Sequence, residues 1–368
     1  MKKLVALLLV LAMVLPLAAC GTKQPAETAK PADKDPVAQA VESVEKDGVK
    51  PYIGISIFDY SNNFVGYIRN GIDYYMSQNY PGVEYLMVDG ENNQATQTER
   101  IDTMISKGVN VLLVNPVDSS AGDTILQKAK DAGIPIIFFN RQPALDVLNS
   151  YDKCWYVGLD TYYQGTLEAE LVAKAWQNDQ AKWDVNGDGK LQYVLLKGTP
   201  GHSDAEDRAN GFKDKIAELN IPVEQLAEDY ANWATATAKD MTETWIGKYG
   251  NQIEMVVCGN DAMALGAVEA LKANGLINDT TIVPVVGVNA LPEASQLIKD
   301  GVMLGSILTS TYSTAIACVE MAMNAVKGQD VLTGLDYKLE SGKIIRIPET
   351  VITADNVDLA IADYKGSK

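Results

Sequence analysis

From Pro51 onward, short and fully apolar runs alternate with longer stretches whose apolar residues recur every three or four positions. Residues 52–58, 83–88, 109–115 and 134–140 lack the polar alternation of a half-exposed strand and read as parallel strands buried on both faces. Between them, residues 64–77, 94–106 and 121–132 carry one apolar stripe each and read as covering helices. The rhythm recurs with apolar runs at 192–196, 223–227, 253–258 and 283–288, each followed by a helical stretch. The pattern predicts an α/β chain of two doubly wound parallel-sheet lobes.

A length of 368 residues suits about two domains. Forty-eight acidic against 31 basic side chains give a net charge of −17. That balance argues against nucleic acid as a partner, because phosphate binding needs clustered Lys and Arg, and it disfavours adhesion to an anionic membrane face. The N-terminus is a separate object. Lys2 and Lys3 precede an apolar run and the ending Leu17-Ala18-Ala19-Cys20, the pattern of a bacterial export signal with a lipobox. Residues 1–19 are then the signal peptide and Cys20 the lipidated residue. Residues 20–50, polar and Pro-containing, read as a flexible tether spanning roughly 30 Å. Cys154, Cys258 and Cys318 form no CxxC pair and have no neighbouring His, so metal ligation by them is not expected.

Ligands of doubly wound sheets bind at the carboxyl ends of strands. Here several strands end in a polar residue: Asn140 after an Ile-Ile-Phe-Phe run, Asn260 and Asp261 after Val-Val-Cys-Gly, and Asn289 after Val-Val-Gly-Val. Each alone is ordinary turn or cap chemistry. Together, at the strand ends of both lobes, they predict a shared cleft.

Two segments carry sharper chemistry. Asp184, Asn186, Asp188, Lys190 and Gln192 stand at positions 1, 3, 5, 7 and 9 of an EF-hand-like loop with Gly189 at position 6. Alternate oxygens in a tight loop converge on calcium, with the Lys190 carbonyl as one donor. Position 12, which should hold a bidentate Glu, is Leu195. Further on, the turn Gly198-Thr199-Pro200-Gly201 follows a strand and leads to His202, Asp204 and Arg208 at the start of a helix. Asp204 there has the alternative role of helix N-cap. His202, the chain's single histidine, has no adjacent nucleophile and suits donation to a polyhydroxylated ligand beside the planar fork of Arg208.

These stretches, with Tyr156-Val157-Gly158, Asn260-Asp261-Ala262-Met263-Ala264 and Ala290-Leu291-Pro292-Glu293-Ala294, resemble the galactose/glucose-binding proteins of bacterial sugar ABC transport and chemotaxis. The resemblance covers the chain from about Pro51 to its end. It implies a type 1 periplasmic-binding-protein fold whose lobes are joined by a three-segment hinge near Gly158, Thr309 and Ile344. The lobes would comprise residues 51–158 plus 309–344 and 159–308 plus 345–368. It further implies that Glu254 completes a structural calcium site. A pyranose would lie between Phe64 and Trp233, with hydroxyl partners Asn140, His202, Asp204, Arg208 and Asn260. Three positions depart from the family pattern: Asn62 and Asn289 stand where the family commonly has Asp, and Thr309 where it has Asn. Both Asp-to-Asn changes replace a charged acceptor by an amide that also donates. The implied partners are a monosaccharide, galactose or glucose first, an ABC permease and a chemoreceptor, with the protein itself a monomer.

Three other readings remain open at this level. An exported sugar-processing enzyme would need a paired carboxylate or an activated nucleophile, and no closely spaced set is visible. A sugar-responsive repressor would need a basic helix-turn-helix before the first strand, and residues 21–50 offer none. A receptor for another monosaccharide, such as a pentose, is kept open by the three departures.

Overall fold

The computed structural model describes residues 49–366. The export signal, Cys20 and nearly all of the tether therefore lie outside the described residues. The first half of the chain forms β1 (Tyr52–Ile57), α1 (Asn63–Asn79), β2 (Glu84–Asp89), α2 (Gln94–Ser106), β3 (Val111–Val114), α3 (Gly122–Asp131), β4 (Ile136–Phe139), α4 (Leu145–Asn149) and β5 (Cys154–Gly158). It continues with α5 (Thr161–Asn178), α6 (Gln180–Trp183), β6 (Leu191–Lys197), α7 (Ser203–Glu218), β7 (Val223–Tyr230), α8 (Thr235–Tyr249), β8 (Met255–Cys258), α9 (Asp261–Ala273), β9 (Val285–Val288) and α10 (Pro292–Lys299). The last elements are β10 (Gly305–Thr309), α11 (Thr311–Val326), β11 (Ile344–Arg346), β12 (Glu349–Ile352) and α12 (Asp358–Gly366).

Each apolar run of the sequence is a strand, with ends shifted by at most three residues. The two sheets have the orders β11-β5-β4-β3-β1-β2 and β12-β10-β9-β8-β6-β7. Both are wound alike: β1 lies between β2 and β3, and β6 between β7 and β8. The winding thus reverses beside β1 and beside β6, which opens a crevice at their carboxyl ends. The strands are buried on both faces because helices cover both. In the first sheet Ile53, Ile55 and Ile57 pack with Ile68 and Ile72 of α1 and Val319 and Met323 of α11. Leu112, Val114, Ile136 and Phe138 face Ile101 of α2 and Ile125 of α3.

Expectation and structure differ in two respects. The apolar-run reading expects wholly parallel sheets, but β12 runs antiparallel to β10, with Ser306 opposite Ile352. The parallel strands of both lobes end toward the cleft, so a strand arriving straight from the first lobe enters the second sheet at its carboxyl edge and runs the opposite way. The third passage between sheets also lies later than Ile344. Ile344 to Arg346 pair in parallel with Tyr156 to Gly158 of the first sheet, and the Ile347 amide still donates to the Gly158 carbonyl at 2.9 Å. Pro348, which has no N–H to continue a ladder, marks the passage. The other passages fall between β5 and α5 and between β10 and α11.

In the second lobe α5 and α7 pack backbone against backbone. A Cβ on Gly165 would lie 2.1 Å from the Arg208 carbonyl oxygen, and one on Gly211 would lie 2.1 Å from that of Tyr162. Neither neighbour is a flexible side chain, so a larger residue forces the helices apart. Gly165→Ala is expected to destabilise the protein by about 1–3 kcal/mol, the range for overpacking. A lower urea midpoint at unchanged slope checks it.

Candidate functional site

The carboxyl ends of the strands in both sheets converge on one cleft. An inner cavity of about 40 Å³ is lined by Asn62, Phe64, Asn140, His202, Asp204, Arg208, Trp233, Asn260 and Asn289. All nine residues singled out in the sequence are thus brought together, along with Phe58, Val65 and Arg141. A wider chamber of about 310 Å³ shares several of these residues and adds Asp59, Asn92, Thr199 and Thr235. Thr309 does not line either chamber. It is fully buried at the end of β10, where its hydroxyl accepts from Gln164 Nε2 at 2.9 Å.

Local folding fixes how each group is presented. Asn62 caps α1, its Oδ1 accepting from the Val65 amide at 3.0 Å. Asn260 does the same for α9, through the Met263 amide at 2.9 Å. The N-cap of α7 is His202 rather than Asp204, with Nδ1 accepting from the Asp204 amide at 3.3 Å. An imidazole that accepts at Nδ1 carries its proton on Nε2. That Nε2 is buried and has no partner among the described residues. Asn140 adopts a left-handed backbone, φ 62°, while its carbonyl accepts from the Tyr156 hydroxyl at 2.7 Å and its Oδ1 from Asn115 Nδ2 at 3.2 Å. Asn232, Trp233, Asn289 and Ala290 are also left-handed. Asn140, Asn232, Trp233 and Asn289 line the two chambers, so backbone strain, on the order of 1–3 kcal/mol for each such non-glycine residue, is concentrated there.

Trp233 packs against Gly198, where a Cβ would approach its indole to 1.9 Å, so glycine there gives the ring its place. The Asn289 carbonyl accepts from the Tyr364 hydroxyl of α12 at 2.7 Å. Arg208 donates through Nε to Gln164 Oε1 and through Nη1 to the Gly259 carbonyl, both at 2.7 Å. Sequence reasoning missed Arg141 and Phe58. The guanidinium carbon of Arg141 lies 3.7 Å from the centre of the Phe58 ring, and Nη1 donates to the Val117 carbonyl. Burial pulls Arg141 down to about 10. The available signal was position alone: Arg141 follows Asn140, and Phe58 follows β1.

The loop before β6 lies away from this cleft. Glu254 is buried, with Oε1 accepting from the Val185 amide at 2.7 Å and Oε2 from the Gln192 amide at 2.9 Å. Burial pushes its carboxyl up, against the pull of these amides. Asp184 Oδ2 accepts from the Gly189 amide at 2.9 Å, while its Oδ1 is buried without a partner. Asn186 Nδ2 donates to Gln192 Oε1 at 2.7 Å, and Asp188 Oδ1 accepts from the Lys190 amide at 2.9 Å. Among the described residues no three His, Cys, Asp or Glu side chains gather as a metal-holding group. The loop instead mixes carboxylate, amide and carbonyl oxygens, most of them engaged by its own N–H groups, and the orphaned Asp184 oxygen is the one left to suit a hard cation. Cys154, Cys258 and Cys318 are free and buried.

A family model described as periplasmic binding protein domain matches residues 53–330. The chain belongs to the periplasmic binding protein family. It is 39% identical over 306 residues to the D-galactose/methyl-galactoside binding periplasmic protein of Haemophilus influenzae, covering 83% of this chain and 90% of that one. It is 31% identical over 309 residues to the xylitol-binding protein of Mycolicibacterium smegmatis, covering 84% and 79% respectively. Among solved structures, an ABC transporter solute binding protein from Bacillus halodurans with bound myo-inositol matches with a TM-score of 0.71 at 29% identity, over 86% of this chain and 98% of that one. These relatives bind solutes, and the protein is a binding protein rather than an enzyme. Family membership implies an extracytoplasmic location, and no helix among the described residues is long and apolar enough to cross a membrane.

His202 offers a direct test of this geometry. Burial lowers its pKa, with Arg141 and Arg208 acting in the same sense against Asp204. The folded state then holds the proton less tightly than the unfolded chain. The contribution of His202 to stability is full above the ordinary value of about 6.5 and declines as pH falls below it. The single imidazole resonance of the native protein should titrate below 6.5 by proton NMR.

Proposed function

We propose that this protein is an extracytoplasmic solute-binding lipoprotein that captures a monosaccharide between its lobes and delivers it to the transmembrane subunits of an ABC permease. The observation that carries this reading is the inner cavity lined by Phe64 and Trp233 together with polar strand-end groups of both lobes. A pyranose has apolar C–H faces and a hydroxyl rim, so two aromatic side chains and a polar edge suit it. The galactose-binding relative favours a ring of the galactose or glucose frame, and Asn62, Asn289 and Thr309 keep a pentose as the second choice. Contacts from both lobes favour a closed state by differential affinity. Lipidation at Cys20, a monomeric state and a chemoreceptor as second partner belong to the same reading.

Calorimetric titration with hexoses and pentoses tests it. Trp233→Ala should weaken binding more than Phe64→Ala, because indole covers more of a sugar ring. Asp204→Ala should cost about 1.5–3 kcal/mol, the loss of a charge-assisted acceptor. Binding of a pentose alone would redirect the substrate, and binding of no monosaccharide would overturn the proposal.

We further propose that Asp184, Asn186, Asp188, the Lys190 carbonyl, Gln192 and Glu254 hold calcium as a structural clasp. Oxygen donors of mixed charge suit calcium better than magnesium, which demands a tighter octahedron. A ligand that binds only the folded state raises its stability. A chelator should therefore lower the melting temperature of the wild type, and Glu254→Gln should remove most of that sensitivity. An identical wild-type melting curve with and without chelator refutes the clasp.

A further inference from the structure

The inner cavity is lined by two buried arginines, and the fold biases several of their neighbours toward donation. Asn62 and Asn260 each commit one lone pair of the side-chain oxygen to the first turn of α1 or α9, which turns Nδ2 toward donation. Asn140 commits one lone pair of its oxygen to Asn115, and His202 spends its accepting nitrogen on the Asp204 amide. His202 is left with an N–H alone, while each asparagine keeps its Nδ2 hydrogens and one lone pair of its oxygen. Two arginines, which only donate, join them. Against these the inner lining holds one carboxylate, Asp204, and the outer chamber adds Asp59, whose Oδ1 already accepts from Ser61.

The charges point the same way. Arg141 and Arg208 are both buried. Among the described residues arginine ion pairs are those of Arg100 and Arg346, and neither cleft arginine has one. The acids near enough to act on Arg141 are Asp204, Asp59 and Asp118. Asp118 Oδ1 is engaged by the Ser120 amide. Those acting on Arg208 besides Asp204 are Glu168, Glu349 and Asp261, which do not line the cavity. Burial raises all three, Asp261 to about 7 and Glu349 to about 8, which weakens them as counter-ions at neutral pH. A buried cation without a partner is costly, and a ligand that supplies the partner recovers that cost.

Two buried guanidinium groups against one carboxylate leave the inner lining short of negative charge, which a neutral sugar does not supply. A carboxylate brings two acceptor oxygens and no proton. We infer that the cleft is built for an acidic pyranose, a hexuronate whose carboxylate takes the place of the C6 hydroxymethyl group and sits against Arg141. The seat is Arg141 rather than Arg208 because Arg208 has two N–H groups committed and Arg141 has one. Stacking on Phe58 uses the face of the Arg141 guanidinium and leaves its edge for a bidentate carboxylate. The inference rests on the monosaccharide reading above and sharpens its substrate class.

Isothermal titration of the full chain at pH 7 with D-galacturonate, D-galactose, D-glucuronate and D-glucose tests it. At least one uronate should bind more tightly than its parent hexose by about tenfold. Arg141→Met should bring that ratio to about one or lower. Asn62→Asp retains an oxygen to cap α1 while placing a second carboxylate in the lining, and it should lower the same ratio even if Arg141→Met proves unstable in a thermal melt. Hexoses bound as tightly as their uronates, or more tightly, overturn the inference and leave the monosaccharide reading intact. A uronate preference unmoved by either variant overturns the seat at Arg141. Binding of none of the four sugars overturns the inference together with the hexose reading on which it rests.

Discussion

A polar side chain at the carboxyl end of a buried strand must satisfy the helix that follows before it can face a ligand. Asn62, His202 and Asn260 each meet that demand by accepting from the first turn of their helix, through an oxygen or, in His202, a ring nitrogen. The caps hold α1, α7 and α9 in place, and in the same act they decide which atoms of the three side chains are left for the cleft. The fold and the chemistry of the site are therefore set by the same few hydrogen bonds. Removing a cap oxygen typically costs about 1 kcal/mol of helix stability, so these side chains cannot turn round to suit a ligand at no cost.

Much of this arrangement could be read from the sequence. Buried parallel strands are uniformly apolar, so β1 to β4 and β6 to β9 stand out from the helices between them. The nine residues proposed for the site lie at strand ends or helix starts, where a doubly wound sheet must place its ligand, and the family resemblance supplied Phe64 and Trp233 among them. Other features left no trace that pattern reasoning can use. The edge strands β11 and β12 are three and four residues long, too short to show a period, and their direction depends on where the other lobe stands. Arg141 follows a strand as any loop residue might. Its place in the lining depends on the left-handed turn at Asn140 and on the Phe58 ring beneath it, contacts that arise only when β1 and β4 share a sheet.

Arg208 shows how strongly the site relies on helix packing. Its guanidinium reaches the cleft from α7, and its Nε bond runs to Gln164 on α5. Those helices approach so closely that glycine is required on each at the contact, and the Arg208 carbonyl itself forms part of that contact. Gln164 also donates to Thr309 at the second passage between the sheets. The arginine, the α5–α7 contact and the connection between lobes are thus joined in one continuous set of contacts.

The C-terminal helix adds a link of another kind. Tyr364 donates to the Asn289 carbonyl in the second lobe, and its ring stands edge-on to Tyr67 of α1 in the first, with centroids 4.5 Å apart. One aromatic side chain near the end of the chain thus touches a cleft residue and both halves of the molecule. A fluorophore or reporter domain appended after α12 would be wired to the cleft through a single helix, which makes the C-terminus the natural place to turn this receptor into an optical sensor.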